Sequence, residues 1–503
     1  MKKAECYNCG KTLTYTLNEP AGPSEFILDE KDSDGMAIFL CGSFRGCRFK
    51  LDMVHYLKNK DIKVQSMKKI NDLESYWMPF TANRDFKKDP RIVCSAEGMY
   101  YKSQEGNDIL DATAGLWCVN AGHNRRKINE AITEQLSVLD YAPCFQFGHP
   151  KAFELANRIS EIFPDGMNHV FFTNSGSEAV DTTLKIALAY HRARGKGTKT
   201  RLIGRERGYH GVGFGGISVG GMPRNRQYFG ALLSGVDHLP HTFDHERNAF
   251  SRGEPEYGEE FADKLEDIIA LHDASTIAAV IVEPMAGSTG VLPPPKGYLK
   301  KLRSICTKHD ILLIFDEVIT GFGRLGTATA SDYFGVVPDI ISCAKGITNG
   351  VIPMGGAVVK DEIYETMLDE ADNPIELFHG YTYSGHPIAA AAGLATLEIY
   401  KEENLFERAS ELSPYMEEVA HSLKGENHII DIRNIGLVAS VELMPREGAV
   451  GSRGYELMKR MWDKGVMVRF TQDTMAVTPP LIAERKHIDE MFDKTREALK
   501  EIN

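Results

Sequence analysis

Long apolar runs are missing from this 503-residue sequence, so it offers nothing close to the ~20 residues that a membrane helix needs. The opening Met1-Lys2-Lys3-Ala4-Glu5-Cys6 leads into polar sequence and lacks the apolar stretch of a secretory signal. The expected location is therefore the cytoplasm, with no membrane partner. An excess of positive charge is missing too. The 58 Lys and Arg stand against 70 Asp and Glu, a formal net charge of -12, which argues against a nucleic-acid partner. Cysteine is sparse and unevenly spread, with nine in all. Cys94, Cys118, Cys144, Cys306 and Cys343 stand alone, as free thiols do in a reducing compartment. Neither an internal repeat nor a low-complexity tract is present.

What remains is an ordinary globular composition, 43% hydrophobic and 25% charged. The length suits two or more lobes, because a single core stops growing at roughly 250–300 residues. From Ser75 onward, short runs rich in Val, Ile, Phe and Leu alternate with longer segments of helical period, the pattern of an α/β protein. His169–Thr173, Arg201–Arg205, Ile277–Glu283, Ile311–Phe315 and Asp339–Cys343 read as strands. Most lack strict alternation, as strands buried on both faces do. Ser177–Arg194 and Gly297–His309 read as helices, the second carrying Leu299, Leu302 and Ile305 on one face. These elements predict a helix-covered, mostly parallel central sheet. From about Gly393 the sequence turns to helices rich in Glu, Lys and Leu, with short strands at Ile429–Ile432 and Leu437–Leu443, which predicts a smaller C-terminal α+β lobe.

Several short strings carry chemically useful groups. Asn174-Ser175-Gly176-Ser177-Glu178-Ala179 follows a strand and opens a helix, so its amides face the positive end of the helix dipole, where a phosphate binds well. Taken alone, such a turn is more often a plain tight turn with an N-cap than a phosphate site. Asp316 ends an apolar run and emerges at the sheet edge where open α/β folds bind ligands; a plain capping role is the alternative. Lys345, in Cys343-Ala344-Lys345-Gly346, emerges at the same edge between small residues. Desolvation there would lower its pKa and make it a nucleophile toward a carbonyl, although most lysines at strand ends are solvated. Tyr209, in Arg207-Gly208-Tyr209-His210-Gly211, offers a ring that could stack on a flat heteroaromatic ligand or simply pack. The conjunction changes the weighting. A phosphate cradle, a stacking ring, a carboxylate and a strand-end lysine together suit pyridoxal phosphate, which needs an anion site, an acid for its ring nitrogen and a Schiff-base lysine.

With those residues in view, the sequence resembles the class III aminotransferases of the fold-type I pyridoxal-phosphate enzymes. Within them it is most similar to the β-alanine (ω-amino acid):pyruvate aminotransferases. The resemblance runs from Tyr76-Trp77-Met78-Pro79-Phe80-Thr81 to the C-terminus. It includes Ala112-Thr113-Ala114-Gly115-Leu116-Trp117-Cys118, Phe172-Thr173-Asn174-Ser175-Gly176-Ser177-Glu178, Phe315-Asp316-Glu317-Val318-Ile319-Thr320-Gly321-Phe322-Gly323-Arg324 and Gly380-Tyr381-Thr382-Tyr383-Ser384. It implies a transaminase passing the amino group of an ω-amino acid or primary amine, β-alanine favoured, to pyruvate. Taurine, 4-aminobutyrate and diamines remain as other donors, and a decarboxylase or aminomutase would use the same cofactor residues.

Carried over by position, the resemblance makes Lys345 the cofactor-bound base and Asp316 the partner of the pyridine nitrogen. Tyr209 and Val318 would flank the ring. Ser175, Gly176 and Ser177 would hold phosphate, with Thr382 reaching in from a neighbouring subunit, so the implied species is a homodimer or homotetramer. Glu283 would lie near the cofactor, Trp117 would border the substrate, and Arg469 would receive a substrate carboxylate. Gln472 stands where the family has glycine, and Gly385 where it usually has alanine.

The implied division is an N-terminal segment of the aminotransferase at 67–130, a large cofactor domain at 131–392 and a small domain at 393–503. Residues 1–66 lack the α/β rhythm and look like an added module. Cys6, Cys9, Cys41 and Cys47 could supply four thiolates to a structural zinc in the manner of a zinc ribbon. Unliganded or redox-active thiols are the alternative, and a regulatory binding protein built on this module is a minor one.

Overall fold

A computed structural model describes residues 73–503 apart from residue 372, preceded by the backbone of five short strands. Of the four cysteines assigned to zinc, Cys6, Cys9 and Cys47 lie outside the described residues, and Cys41 closes the strand Ala37–Cys41. By packing, the chain divides into two units, Met1–Pro90 and Arg91–Asn503. No helix among the described residues is long and apolar enough to cross a membrane.

The second unit is built on a seven-stranded sheet. Its strands are β1 (His169–Thr173), β2 (Arg201–Arg205), β3 (Val236–Leu239), β4 (Ile277–Val282), β5 (Leu312–Asp316), β6 (Ile340–Ala344) and β7 (Gly355–Val359). They lie in the order β3-β2-β4-β5-β6-β7-β1. All neighbours pair parallel except β7, which runs antiparallel to both β6 and β1.

The unbroken apolar runs have a direct cause. Every residue of β4, β5 and β6 is buried, because the two faces of the sheet feed two separate cores. Ala279, Ile281 and Ile314 pack with Val180, Leu184 and Ala187 of helix α1 (Gly176–Ala193). Val280, Val282, Leu313 and Phe315 pack with Leu299, Leu302 and Ile305 of helix α2 (Tyr298–Lys308). Each fully buried Val, Leu or Ile side chain stabilises by roughly 1.5–3 kcal/mol relative to exposure.

Helix α3 (Pro387–Glu402) is followed by α4 (Leu405–His421). A four-stranded antiparallel sheet then forms from β8 (Ile429–Ile435), β9 (Val438–Leu443), β10 (Arg469–Thr471) and β11 (Thr474–Val477), in the order β8-β9-β11-β10. Helices α5 (Ser452–Asp463) and α6 (Arg485–Leu499) complete this end of the chain.

Candidate active site

The carboxyl ends of the parallel strands converge on one edge of the sheet, where open α/β folds gather their ligand groups. At the end of β1, Ser175 caps α1: its Oγ accepts from the Glu178 amide (3.2 Å), while the Asn174 amide donates to Glu178 Oε2 (2.7 Å). This exchange fixes the first turn and leaves the amides that follow Ser175 at the positive end of an 18-residue helix. Space around that turn is tight. A Cβ on Gly176 would lie 2.9 Å from Val318 Cγ1, and one on Gly211, whose φ is +85°, would lie 2.5 Å from Ser177 Oγ. Glycine at both positions lets Val318 and the 209–212 segment close on the turn. The Val212 amide then donates to Ser177 Oγ (3.1 Å).

At the end of β5, Asp316 is buried. Its Oδ2 meets Nδ1 of fully buried His210 at 2.8 Å, and its Oδ1 accepts from the Val318 amide and Ser342 Oγ, each at 3.2 Å. His210 Nε2 is buried without a partner among the described residues. After β4, Glu283 is fully enclosed and its two oxygens accept from the Tyr209 amide (2.9 Å) and the Gly287 amide (3.1 Å). Burial pushes the Glu283 carboxyl up; the neighbouring Asp316 charge adds to that rise, and His210 opposes it.

Lys345 follows β6 in a left-handed conformation, φ +54°. Burial depresses its ammonium to about 8, with Arg469 pushing the same way and Asp316, Cys118 and Glu283 opposing. No hydrogen bond or ion pair reaches the Lys345 side chain among the described residues. Arg469, on β10, is likewise left without a carboxylate or carbonyl partner among them. Burial lowers its pKa, with Tyr209 alone opposing. Burial raises the Tyr209 hydroxyl, while Arg469 pulls it down and Asp316 and Glu283 push it up. Lys345 and Tyr209 thus each lie within electrostatic reach of Asp316, Glu283 and Arg469.

Trp117 adjoins this group through the chain, since its neighbour Cys118 acts on Lys345. The turn that carries it is held by Asp111, which accepts from the amides of Thr113 (2.9 Å) and Gly115 (2.6 Å) and meets His123 Nε2 at 2.8 Å. Trp117 is buried at φ +65°, and its indole N–H has no partner among the described residues. Thr382 lies elsewhere, exposed, with its carbonyl accepting from Tyr141 Oη at 3.1 Å. No hydrogen bond among the described residues joins it to the cluster.

Two residues in the site were not singled out from the sequence. His210 sits beside Tyr209 in a glycine-dense stretch, and nothing local signals that its ring meets a carboxylate 106 residues away. Ser342 was read only as part of a buried strand. The two departures from the family pattern also have a structural setting. Gln472 takes φ +52°, a conformation that favours glycine, and Gly385 takes φ +62°.

The residues fit pyridoxal phosphate. A glycine-lined helix N-terminus suits an anion, a buried carboxylate suits a protonated ring nitrogen, and a buried lysine without a partner suits a carbonyl. Fold and site together define an aminotransferase of the pyridoxal-phosphate type. The class-III aminotransferase family matches residues 81–499, and this chain belongs to that family.

It is 61% identical to the ω-aminotransferase of Caulobacter vibrioides, over 86% of this chain and 99% of that protein. It is 50% identical to the β-alanine–pyruvate aminotransferase of Pseudomonas aeruginosa, over 85% of this chain and 96% of that protein. An amine transaminase of an uncultivated Pseudomonas species, solved in its pyridoxal-phosphate-bound form, is 33% identical. It superposes with a TM-score of 0.79, covering 85% of this chain and 99% of its own.

Proposed function

We propose that this enzyme transfers the amino group of an ω-amino acid, β-alanine above others, to pyruvate, releasing the semialdehyde and L-alanine. The carrying observation is the half-buried Arg469, which has no anionic partner among the described residues yet acts electrostatically on Lys345 and Tyr209. A desolvated guanidinium is costly without a counter-ion, and a substrate carboxylate, gripped through two parallel hydrogen bonds, supplies one. β-Alanine and pyruvate both carry that carboxylate. The names of the relatives support the same substrates.

Bound pyridoxal phosphate supplies an aldehyde for the amino group and a ring that draws electrons from the substrate carbon. The chain does the rest. Ser175, Gly176 and Ser177 hold the phosphate, completed by Thr382 of a second copy, which makes the working species a homodimer or homotetramer. Tyr209 and Val318 flank the ring, and Glu283 fixes the Tyr209 backbone from behind. Asp316, oriented by His210 and Ser342, keeps the ring nitrogen protonated. Lys345 moves the proton, and Trp117 borders the substrate.

Arg469→Ala is expected to raise the KM for β-alanine and pyruvate by about 100-fold, the scale of losing a buried charge pair. The half-reaction with 1-phenylethylamine, which has no carboxylate, should change by less than about threefold. Stopped-flow half-reactions with the two donors check this, and equal losses for both would remove the assignment.

A further inference from the structure

Between β4 and α2 the chain makes a closed hairpin, Ala286 to Leu292, whose ends exchange both backbone hydrogen bonds (3.1 and 2.8 Å). Its four inner carbonyls, 288 to 291, each accept a bond from a side chain far away in sequence. Thr471 Oγ1 donates to the Ser288 carbonyl (2.6 Å), Arg207 to Thr289 (3.1 Å), and Arg433 to both Gly290 (2.8 Å) and Val291 (3.0 Å). Arg207 and Arg433 stand over the same ring, Phe243, at 4.9 and 4.7 Å. The hairpin is also strained. Val291 sits at φ +55°, which a β-branched residue adopts only when its surroundings impose it.

This hairpin touches both halves of the site. At Gly287 the amide donates to Glu283, whose other oxygen accepts from the Tyr209 amide. At the next residue the Ser288 carbonyl accepts from Thr471 of β10, the three-residue edge strand that carries Arg469. Among the described residues β10 pairs only with β11, and its outer edge has no strand beside it. Gly290 lies close against the start of β11, where a Cβ would come within 3.2 Å of Thr474 Cγ2.

We propose that the 286–292 hairpin is a strut fixing the distance between the ring-binding side of the pocket and Arg469, with Thr471 as the positioning residue that ties Arg469 to it. The strut thereby sets how far a substrate carboxylate lies from the reacting carbon, which makes Thr471 a determinant of donor length. This rests on Arg469 being the carboxylate receptor.

The test uses holoenzyme carrying Thr471→Val, Thr471→Ser or Arg469→Ala. Isothermal titration with propionate reads carboxylate binding without turnover, and half-reactions compare β-alanine with 1-phenylethylamine. Thr471→Val is expected to weaken propionate and β-alanine by about fivefold to tenfold, the loss of one hydrogen bond, with 1-phenylethylamine unchanged. Thr471→Ser, which keeps the hydroxyl, should restore both. Equal weakening of the two donors, or no weakening of either by Thr471→Val, would overturn the strut. If Arg469→Ala leaves propionate binding intact, the receptor assignment itself falls; if it abolishes binding while Thr471→Val does nothing, only the strut falls.

Discussion

Replacing Lys345 by alanine is expected to lower turnover by about 10⁴-fold or more, because one side chain supplies both the nucleophile toward a carbonyl and the base that moves the proton. The effect should be chemical, since the Lys345 side chain makes no hydrogen bond among the described residues and its loss breaks no such contact. Thermal stability should therefore hold or rise slightly, a buried charge having been removed. Borohydride reduction followed by peptide mass mapping should find the cofactor's mass on the Lys345 peptide of the native enzyme and nowhere in the variant. The depressed pKa adds a second signature. An amine that titrates at about 8 is about one-tenth neutral at pH 7, against roughly one in 3,000 for an ordinary lysine. The rate at which apoenzyme takes up cofactor should climb with pH and level off just above 8. A climb continuing past 10 would mean that Lys345 is not desolvated as the geometry requires.

Asp316→Asn should cost about 10³-fold in turnover with little change in fold, on the scale of removing a preorganised electrostatic group from a buried site. Asparagine fills the same space and can still accept from the Val318 amide and Ser342 Oγ. What it lacks is the charge that holds a ring nitrogen protonated. Because Asp316 is the largest influence holding the Lys345 pKa up against burial, the variant should also shift the midpoint of cofactor uptake below about 8. A turnover loss without that shift would separate the two roles and place Asp316 out of reach of Lys345. Wild-type turnover would remove Asp316 from the chemistry altogether.

Much of this architecture was legible because the relevant signals are local. Of the apolar runs that became β1, β2, β4, β5 and β6, the last three are buried on both sides, and the groups that matter sit where these runs stop. Helix α1 was read one residue late at each end, Ser177–Arg194 against the observed Gly176–Ala193. Two strands of the sheet gave no signal. β7 opens on Gly355 and Gly356, small because a Cβ on Gly355 would lie 2.6 Å from the Ser175 carbonyl, so it lacks β-branched residues where packing forbids them. β3 carries Asp237 and His238, polar because this edge strand pairs Asp237 with Arg201 at 2.6 Å.

Within the site, Lys345, Asp316, Tyr209 and the Ser175–Ser177 turn were visible as strand-end or helix-start chemistry. His210 and the side chains gripping the 286–292 hairpin were not. Arg433 meets Val291 across 142 residues of sequence, and only the folded chain brings them together.

The most direct measurement follows the nitrogen. Holoenzyme is given isotopically labelled β-alanine without an acceptor, freed of excess donor, and then given pyruvate. The account predicts one equivalent of labelled L-alanine per active site, with semialdehyde already released in the first step. Label remaining with the protein when pyruvate is added, or labelled alanine formed without semialdehyde in the first step, would contradict it.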